Sequence, residues 1–377
     1  MKIAVFTESY APYISGVARS VELLKKELEA LGHHIYLFAP DYPGHKDTEK
    51  NIIRIPSIAT KYPGFRIPVP YPGFIPDIDF DLVHSNSPFG LGLASLNYAK
   101  RKRLPFVYSF HTIFTDYLHY IPLPKPLTKK TFAAYIRSFC KKCDCIVAPN
   151  KTTVRYLDDF GIRGRIEAIP SGIDLGLIEK ATSKGIRNSL GIPETANVLL
   201  YVGRLSKEKN VPFLLQAFKN ILLVEPDTYL LIVAGGPEEE PLKKMATDLG
   251  IAQRTVFAGQ KGCPEVFNYY KCADIFVFAS KTETQGLVIA EAKACGLPAV
   301  VVDAQGVKES ILPGEDGFLT GENLDDFSEK VVTLLKDGAL RAIMSERAAK
   351  NSARDFSSGT IAKKVESVYN SLIKCPK

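Results

Sequence analysis

The chain has 377 residues, 46% hydrophobic and 24% charged, a composition that excludes a disordered tail, a collagen-like repeat and a small disulfide scaffold. Its net charge of +7 is unevenly spread, since residues 1–170 carry 23 Lys and Arg against 15 Asp and Glu while the remainder carries 25 against 26. The basic half has no Cys/His finger, no aromatic-interleaved RNA motif and no heptad zipper, so nucleic acid is set aside as a partner and an anionic membrane surface is the better reading.

At about 150 residues per domain the length predicts two domains. No apolar run approaches the roughly 20 residues of a membrane-spanning helix, and the start MKIAVFTE reads as a strand, so a cytoplasmic protein is expected. Seven Cys without regular spacing fit a reducing compartment. Short β-branched runs at 2–6, 34–39, 82–84, 106–110 and 145–148 alternate with helical segments, and the pattern restarts at 198–203, 229–234, 255–258, 275–279 and 299–302. That rhythm predicts two doubly wound α/β domains in tandem, with a seam within 169–174 where Pro, Ser and Gly cluster.

In the first domain the strand 2–6 leads through Thr7-Glu8-Ser9-Tyr10 to Ser15-Gly16-Val17, where helical spacing begins. Gly16 at a helix start lets backbone N–H groups approach a phosphate. The motif is not GxGxxG, and no GxxxxGK[ST] occurs, which removes the support for a dinucleotide oxidoreductase and for P-loop chemistry. Segment 61–76 (KYPGFRIPVPYPGFIP) holds five Pro among apolar residues, which excludes a helix or a central strand. It is read as a stiff apolar loop, packed on its own domain or left exposed as an acceptor or membrane contact. Asp77-Ile-Asp79-Phe-Asp81 has the DxD spacing of a metal site but reads as a turn leading into the next strand. His111 follows the strand 106–110 and stands at its carboxyl edge, where open α/β sheets bind ligands.

Segment 125–142 (KPLTKKTFAAYIRSFCKK) places Phe132, Ile136, Phe139, Cys140 and Cys143 on one helical face and Lys129, Lys130, Arg137, Lys141 and Lys142 on the rest. Such a helix either lies in a membrane interface, reinforced by the basic run 100–103, or is an ordinary surface helix. The CxxC of Cys140 and Cys143 lacks the second pair that a zinc site needs, so packing at a helix-to-strand junction is expected.

In the second domain Gly203-Arg204-Leu205-Ser206-Lys207-Glu208-Lys209 follows the strand 198–203, and its two cations, five residues apart, suit a diphosphate as well as a plain charged loop. The stretch Ser280–Ala292 (SKTETQGLVIAEA) opens a helix after the strand 275–279. Glu283 stands at the mouth of the crevice, the N–H groups of Gln285, Gly286 and Leu287 follow, and Glu291 comes eight residues later. Two carboxylates flanking a phosphate-binding helix start imply hydroxyl-rich neighbours, a sugar and a ribose on either side of a diphosphate. The segment 358–374 reads as a last helix.

These residues resemble glycosyltransferase family 4, the retaining, metal-independent enzymes of the GT-B fold, over essentially the whole chain. Gly16-Val17, Ser109-Phe110-His111-Thr112, Pro170-Ser171-Gly172-Ile173-Asp174, Gly203-Arg204 with Lys209, Gly235-Gly236-Pro237 and the pair Glu283 and Glu291 carry the resemblance. It implies two Rossmann-like domains facing across a cleft, 1–170 on the acceptor side and 171–357 binding a nucleotide sugar, with 358–377 packing back on the first. By the same resemblance Glu283 and His111 hold the donor sugar, Glu291 the ribose, and Arg204 and Lys209 the diphosphate. Gly16 approaches the diphosphate from the other domain, and Thr284, Gln285, Gly286 and Leu287 belong to the donor site, with Lys261, Gly262 and Cys263 near the nucleobase. No side-chain nucleophile, metal or other cofactor is implied.

The segment 111–122 (HTIFTDYLHYIP), the opening TESYAPYISGVARS and the Gln285-Gly286 pair resemble bacterial diacylglycerol glucosyltransferases. That resemblance implies UDP-glucose as donor, diacylglycerol as acceptor, Tyr117 and Tyr120 toward the acceptor, and a peripheral place on the inner face of the cell membrane. Transfer to a soluble sugar or to a phosphatidylinositol-type acceptor, and a non-catalytic nucleotide-sugar-binding module, remain the rivals. Oligomeric state does not follow from the sequence.

Overall fold

The computed structural model describes residues 1–60, 64–113, 125–304 and 306–374, of which 125–129 by backbone alone. The chain divides into two units, Met1–Gly172 with Ser358–Lys377, and Ile173–Ser357.

In the first unit the strands are β1 (Lys2–Phe6), β2 (His34–Pro40), β3 (Ile52–Ile55), β4 (Ser57–Ala59), β5 (Arg66–Pro68), β6 (Leu82–Ser85), β7 (Phe106–Ser109), β8 (Cys145–Ala148) and β9 (Ile166–Ala168). Seven form a parallel sheet in the order β3-β2-β1-β6-β7-β8-β9. Successive side chains alternate between two cores: Ala4, Phe6, Val83, Phe106, Tyr108 and Ile146 on one face, Ile3, Val5, Leu82, Val107, Cys145 and Val147 on the other. Strands covered on both faces need this near-continuous apolar run, which is why the sequence reads them as β-branched blocks.

Helix Gly16–Ala30 starts where Ser15 Oγ accepts the Ala18 N–H at 3.1 Å, and it packs with helix Ser358–Lys374 over the second core. Ile361, Val365, Val368 and Tyr369 supply the buried stripe of that last helix.

Of the two readings open for segment 125–142 the structure favours an ordinary helix packed on its own unit, and the loop expected at 61–76 changes. Ile136, Phe139 and Cys140 of helix Lys125–Cys140 lie in the first core, with the Phe139 ring 5.2 Å from Tyr108 and 6.0 Å from Phe106. The apolar face is therefore taken by the unit's own sheet and is not available to a bilayer. Arg137 sits over the Phe160 ring at 5.4 Å, while Lys130, Lys141 and Lys142 remain exposed. Lys100, Arg101 and Lys102 of the basic run form the last turn of helix Gly90–Lys102, where cations complement the helix dipole. The change is in the Pro-rich stretch: Arg66–Pro68 pairs antiparallel with Ser57–Ala59 as a two-stranded ribbon.

The Asp77–Asp81 stretch does lead into a strand, with Asp81 Oδ2 accepting the Lys2 N–H at 2.7 Å. Burial pushes the Cys140 and Cys145 thiols up to about 12, so both stay protonated packing groups.

The second unit carries β10 (Asn197–Arg204), β11 (Thr228–Gly235), β12 (Thr255–Phe257), β13 (Ile275–Phe278), β14 (Ala299–Val302) and β15 (Gly317–Thr320) in a parallel sheet ordered β12-β11-β10-β13-β14-β15. Each sheet thus reverses its strand order once, between β1 and β6 in the first unit and between β10 and β13 in the second. Loops leaving the carboxyl ends of two such strands diverge and open a crevice, the place where doubly wound sheets bind ligands. Among the described residues no helix is long and apolar enough to cross a membrane.

Candidate active site

The switch point of the second unit gathers the charged residues. β10 ends on Arg204 and runs into the turn that bears Lys209, and β13, its neighbour, runs into the turn that bears Glu283. The two turns are laced together: the Lys281 N–H donates to the Glu208 carbonyl at 3.0 Å, and Lys209 Nζ donates to Glu283 Oε1 at 2.5 Å. Both members of that ion pair are largely buried, with 15% and 16% of their side chains exposed. The sequence separates them by 74 residues and suggests no pairing.

Helix Leu287–Ala294 begins at Gly286, whose φ of +72° is a left-handed conformation that glycine adopts without a Cβ penalty. A second layer holds this turn. Ser310 Oγ donates to the Gln285 carbonyl at 2.9 Å, and Lys293 Nζ donates to the Ser310 carbonyl at 2.7 Å while pairing with the fully buried Asp316 at 2.7 Å. Asn351 Nδ2 donates to the same Asp316 at 3.0 Å. Gly306, at φ +91°, lies so close that a Cβ there would stand 1.8 Å from the Glu283 carbonyl oxygen. Gly306 and Ser310 therefore pack against the backbone of Glu283 and Gln285.

Glu291 is buried in the helix, and its Oε2 accepts the Tyr270 hydroxyl at 3.0 Å. Thr284, Gln285, Gly286 and Leu287 follow Glu283 directly in this turn. Lys261, Gly262 and Cys263 stand past the end of the edge strand β12, two strands away from β10, where Lys261 pairs with Glu265 at 3.0 Å and lies over the Tyr269 ring at 5.3 Å. Tyr270, Ser310, Lys293, Asp316 and Gly306 escape sequence reasoning. A glycine four residues past the strand 299–302 is a local signal that could have flagged this layer.

The first unit lines its switch point mostly with uncharged side chains, beside Glu8, whose Oε1 accepts the Leu91 N–H at 3.0 Å and whose pKa burial raises. The loop after β1 is tied by Ser9 Oγ to Ser15 Oγ at 2.5 Å, and it ends at Gly16, the first residue of its helix. Arg54 clamps the same loop, donating to the Ala11 carbonyl at 2.7 Å and the Pro40 carbonyl at 2.8 Å while paired with Asp47. Asn86 follows β6 and His111 follows β7. The Asn86 backbone N–H donates to the Phe6 carbonyl at 2.8 Å, and its side-chain Oδ1 lies 2.8 Å from His111 Nε2.

A carbonyl oxygen only accepts, so Nε2 carries the imidazole proton and Nδ1 keeps its lone pair. Burial lowers the His111 pKa to about 4, which keeps the ring neutral at pH 7. Beneath it the buried His84 bridges Tyr369 Oη at 2.5 Å and Ser109 Oγ at 2.8 Å, its pKa pushed down to about 3 by burial. Asn86, Ser109, His111, Ser20 and Ser171 line one pocket of this unit.

Tyr117 and Tyr120 lie outside the described residues, as does the side chain of Lys129. Among the described residues no group of three or more His, Cys, Asp and Glu could hold a metal ion.

Comparison with known proteins agrees with this architecture. Residues 14–177 match the family described as Glycosyltransferase Family 4, and residues 183–351 match Glycosyl transferases group 1. The chain is 33% identical over 315 residues to the alpha-monoglucosyldiacylglycerol synthase of Streptococcus pneumoniae, covering 80% of this chain and 70% of that protein. It is 31% identical to the alpha-monoglucosyldiacylglycerol synthase of Acholeplasma laidlawii, covering 99% and 98%. Sucrose-phosphate synthase from Thermosynechococcus elongatus shares the fold with a TM-score of 0.82 at 21% identity, covering 99% of each chain. End-to-end similarity at this level, on two parallel-sheet α/β units of the GT-B kind, makes the chain a hexosyl-transferring member of glycosyltransferase family 4.

Proposed function

We propose that the protein transfers glucose from UDP-glucose to diacylglycerol at an anionic membrane surface on the inner face of the cell membrane, with retention at the anomeric carbon. The observation that carries this reading is the similarity, over nearly the full length, to an alpha-monoglucosyldiacylglycerol synthase.

In this reading Arg204, Lys209 and the helix start at Gly286 receive the diphosphate. Lys209 is held by Glu283, so a diphosphate competes for the same ammonium protons and frees the Glu283 carboxylate for sugar hydroxyls. Glu291, oriented by Tyr270, accepts from the ribose diol, and the 261–263 turn meets the nucleobase. Gly16 leaves the start of its own helix open to an approaching phosphate. His111 accepts a sugar hydroxyl at Nδ1, the nitrogen that Asn86 leaves unprotonated. As the glycosidic bond breaks, positive charge grows on the ring and negative charge on the departing phosphate. Arg204, Lys209 and the helix start stabilise the latter. The departing phosphate oxygen takes the acceptor hydroxyl's proton, so no side-chain nucleophile is assigned. With two cations and a helix start on the leaving group, no divalent ion is required.

The test is UDP release from UDP-glucose in the presence of a chelator, on phosphatidylglycerol vesicles with and without diacylglycerol. Release that depends on diacylglycerol is expected. Release that is equal without it would remove the acceptor, and release abolished by the chelator would remove metal independence.

A further inference from the structure

Two rungs of the same shape join the ends of β6 and β7 on the face of the first sheet that carries the second core. His84 Nε2 lies 2.8 Å from Ser109 Oγ, and two residues further along each segment Asn86 Oδ1 lies 2.8 Å from His111 Nε2. The proposed chemistry uses the outer rung alone. The inner one runs on into the protein, where His84 Nδ1 lies 2.5 Å from the hydroxyl of Tyr369 on the last helix.

Burial fixes the protons along this inner chain. Tyr369 is fully buried, and among the described residues its hydroxyl has no hydrogen-bond partner besides His84. If that hydroxyl accepted from Nδ1, its own proton would be left unpaired in the core, which native interiors avoid. Tyr369 therefore donates to Nδ1. His84 is neutral, because burial pushes its pKa down to about 3, so its one proton is on Nε2 and goes to Ser109 Oγ. Ser109 thus accepts from His84, and among the described residues its own proton has no acceptor.

Ser109 and His111 line one pocket of the first unit. The first brings a spare donor, its O–H, and the second a spare acceptor, Nδ1. A phosphate oxygen could take the Ser109 proton but has none to give Nδ1, and an ammonium has no lone pair for Ser109. An alcohol supplies both complements.

We propose that Ser109 binds a substrate hydroxyl beside His111, donating to its oxygen, while His84 and Tyr369 act as positioning residues that keep Ser109 in the donor role. The proposal deepens the role proposed for His111 and rests on it. The hydroxyl belongs to the donor sugar or to the acceptor alcohol, and substrate analogues separate the two sources.

Nitrogen NMR of the imidazoles in the full-length protein tests the relay without turnover. His84, identified by the signal lost in His84→Gln, should carry its proton on Nε2, and Tyr369→Phe should move its Nδ1 resonance toward that of a free lone pair. A proton on Nδ1, or an Nδ1 resonance that does not move, would overturn the proposal. Kinetics tests the contact itself. Ser109→Ala should lower kcat/KM about three- to tenfold, the worth of one hydrogen bond between uncharged groups, while UDP titrates as in the parent. Repeated with each singly deoxygenated UDP-glucose, the loss should vanish for one of them if the sugar supplies the hydroxyl, and persist with all of them if the acceptor alcohol does. Parent-like turnover of Ser109→Ala beside a damaged His111→Ala would remove the Ser109 contact alone. Parent-like turnover of both would take the role of His111 with it.

Discussion

At the switch point between β10 and β13 stand a guanidinium, an ammonium and two carboxylates, Arg204, Lys209, Glu283 and Glu291; at the one between β1 and β6 stand two serines, a glycine, an amide, a neutral imidazole and a single acid, Glu8, turned to the Leu91 N–H. The topology is the same and the chemistry is not. A reversal of strand order opens a crevice in either sheet, and the side chains at its lip decide what enters. In the second unit an opposed pair, Lys209 and Glu283, is neutral as it stands, and on the proposed reading a phosphate that takes the Lys209 ammonium releases the Glu283 carboxylate. In the first unit burial keeps His111 uncharged, so it can only exchange hydrogen bonds.

The sharpest way to break this comparison is at Glu283. On the proposed reading Glu283→Ala lowers kcat by about 10²–10³-fold, the size of a lost transition-state hydrogen bond. UDP should bind as tightly as before or tighter, because the Glu283 carboxylate no longer competes for Lys209. Calorimetric titration with UDP decides it, and a matching loss of UDP affinity would take the sugar role from Glu283.

Lys209→Ala should do the opposite and weaken UDP itself by about 1.5–3 kcal/mol, as for a hydrogen bond to a charged group. An unchanged titration would mean that Lys209 serves only to hold Glu283. Gly306→Ala probes the supporting segment: the left-handed φ and the 1.8 Å approach to the Glu283 carbonyl should cost about 1–3 kcal/mol in thermal unfolding. A wild-type melting temperature would show that this segment gives way.

In the first unit the change to make is Asn86→Asp. A carboxylate 2.8 Å from Nε2 favours the imidazolium, so the His111 pKa should rise from about 4 by about 1–3 units and the acid limb of kcat/KM should rise with it. The parent's acid limb owes nothing to His111 above pH 5. A profile that does not move would detach His111 from turnover. Smallest of all, replacing Lys130, Lys141 and Lys142 by Gln should reduce vesicle binding by at most about 1 kcal/mol per residue, and only at low salt, because the apolar face of that helix is spent inside the protein.

Much of the architecture was readable because its signals are local. Strands buried on both faces must be continuous apolar blocks, so β1, β2, β6, β7 and β8 and the five strands from β10 to β14 stand out in the sequence. The edge strands β3, β9 and β15 did not. Each has only three or four residues, and Arg54, Glu167 and Gly317 dilute the apolar runs. The spacing of Glu283 and Glu291 around a helix start was visible for the same local reason.

Partners distant in the chain were not. Asn86 looks like any turn residue until Phe6 and β7 place it under His111, and Tyr270 is an ordinary core aromatic until its hydroxyl meets Glu291. Helix Lys125–Cys140 has an apolar face suited equally to lipid or to a sheet, and ribbon β4–β5 lies in a stretch whose prolines only exclude structures.

The sequence by itself determined that this chain forms parallel-sheet units with charged turns at strand ends, because backbone period and helix starts depend on neighbours a few residues away. Only the tertiary structure decided the strand order that creates the two crevices, the pairing of Lys209 with Glu283, the tautomer of His111 and which apolar faces stay in water. Each of those rests on groups tens to hundreds of residues apart, brought together by burial that no local pattern records.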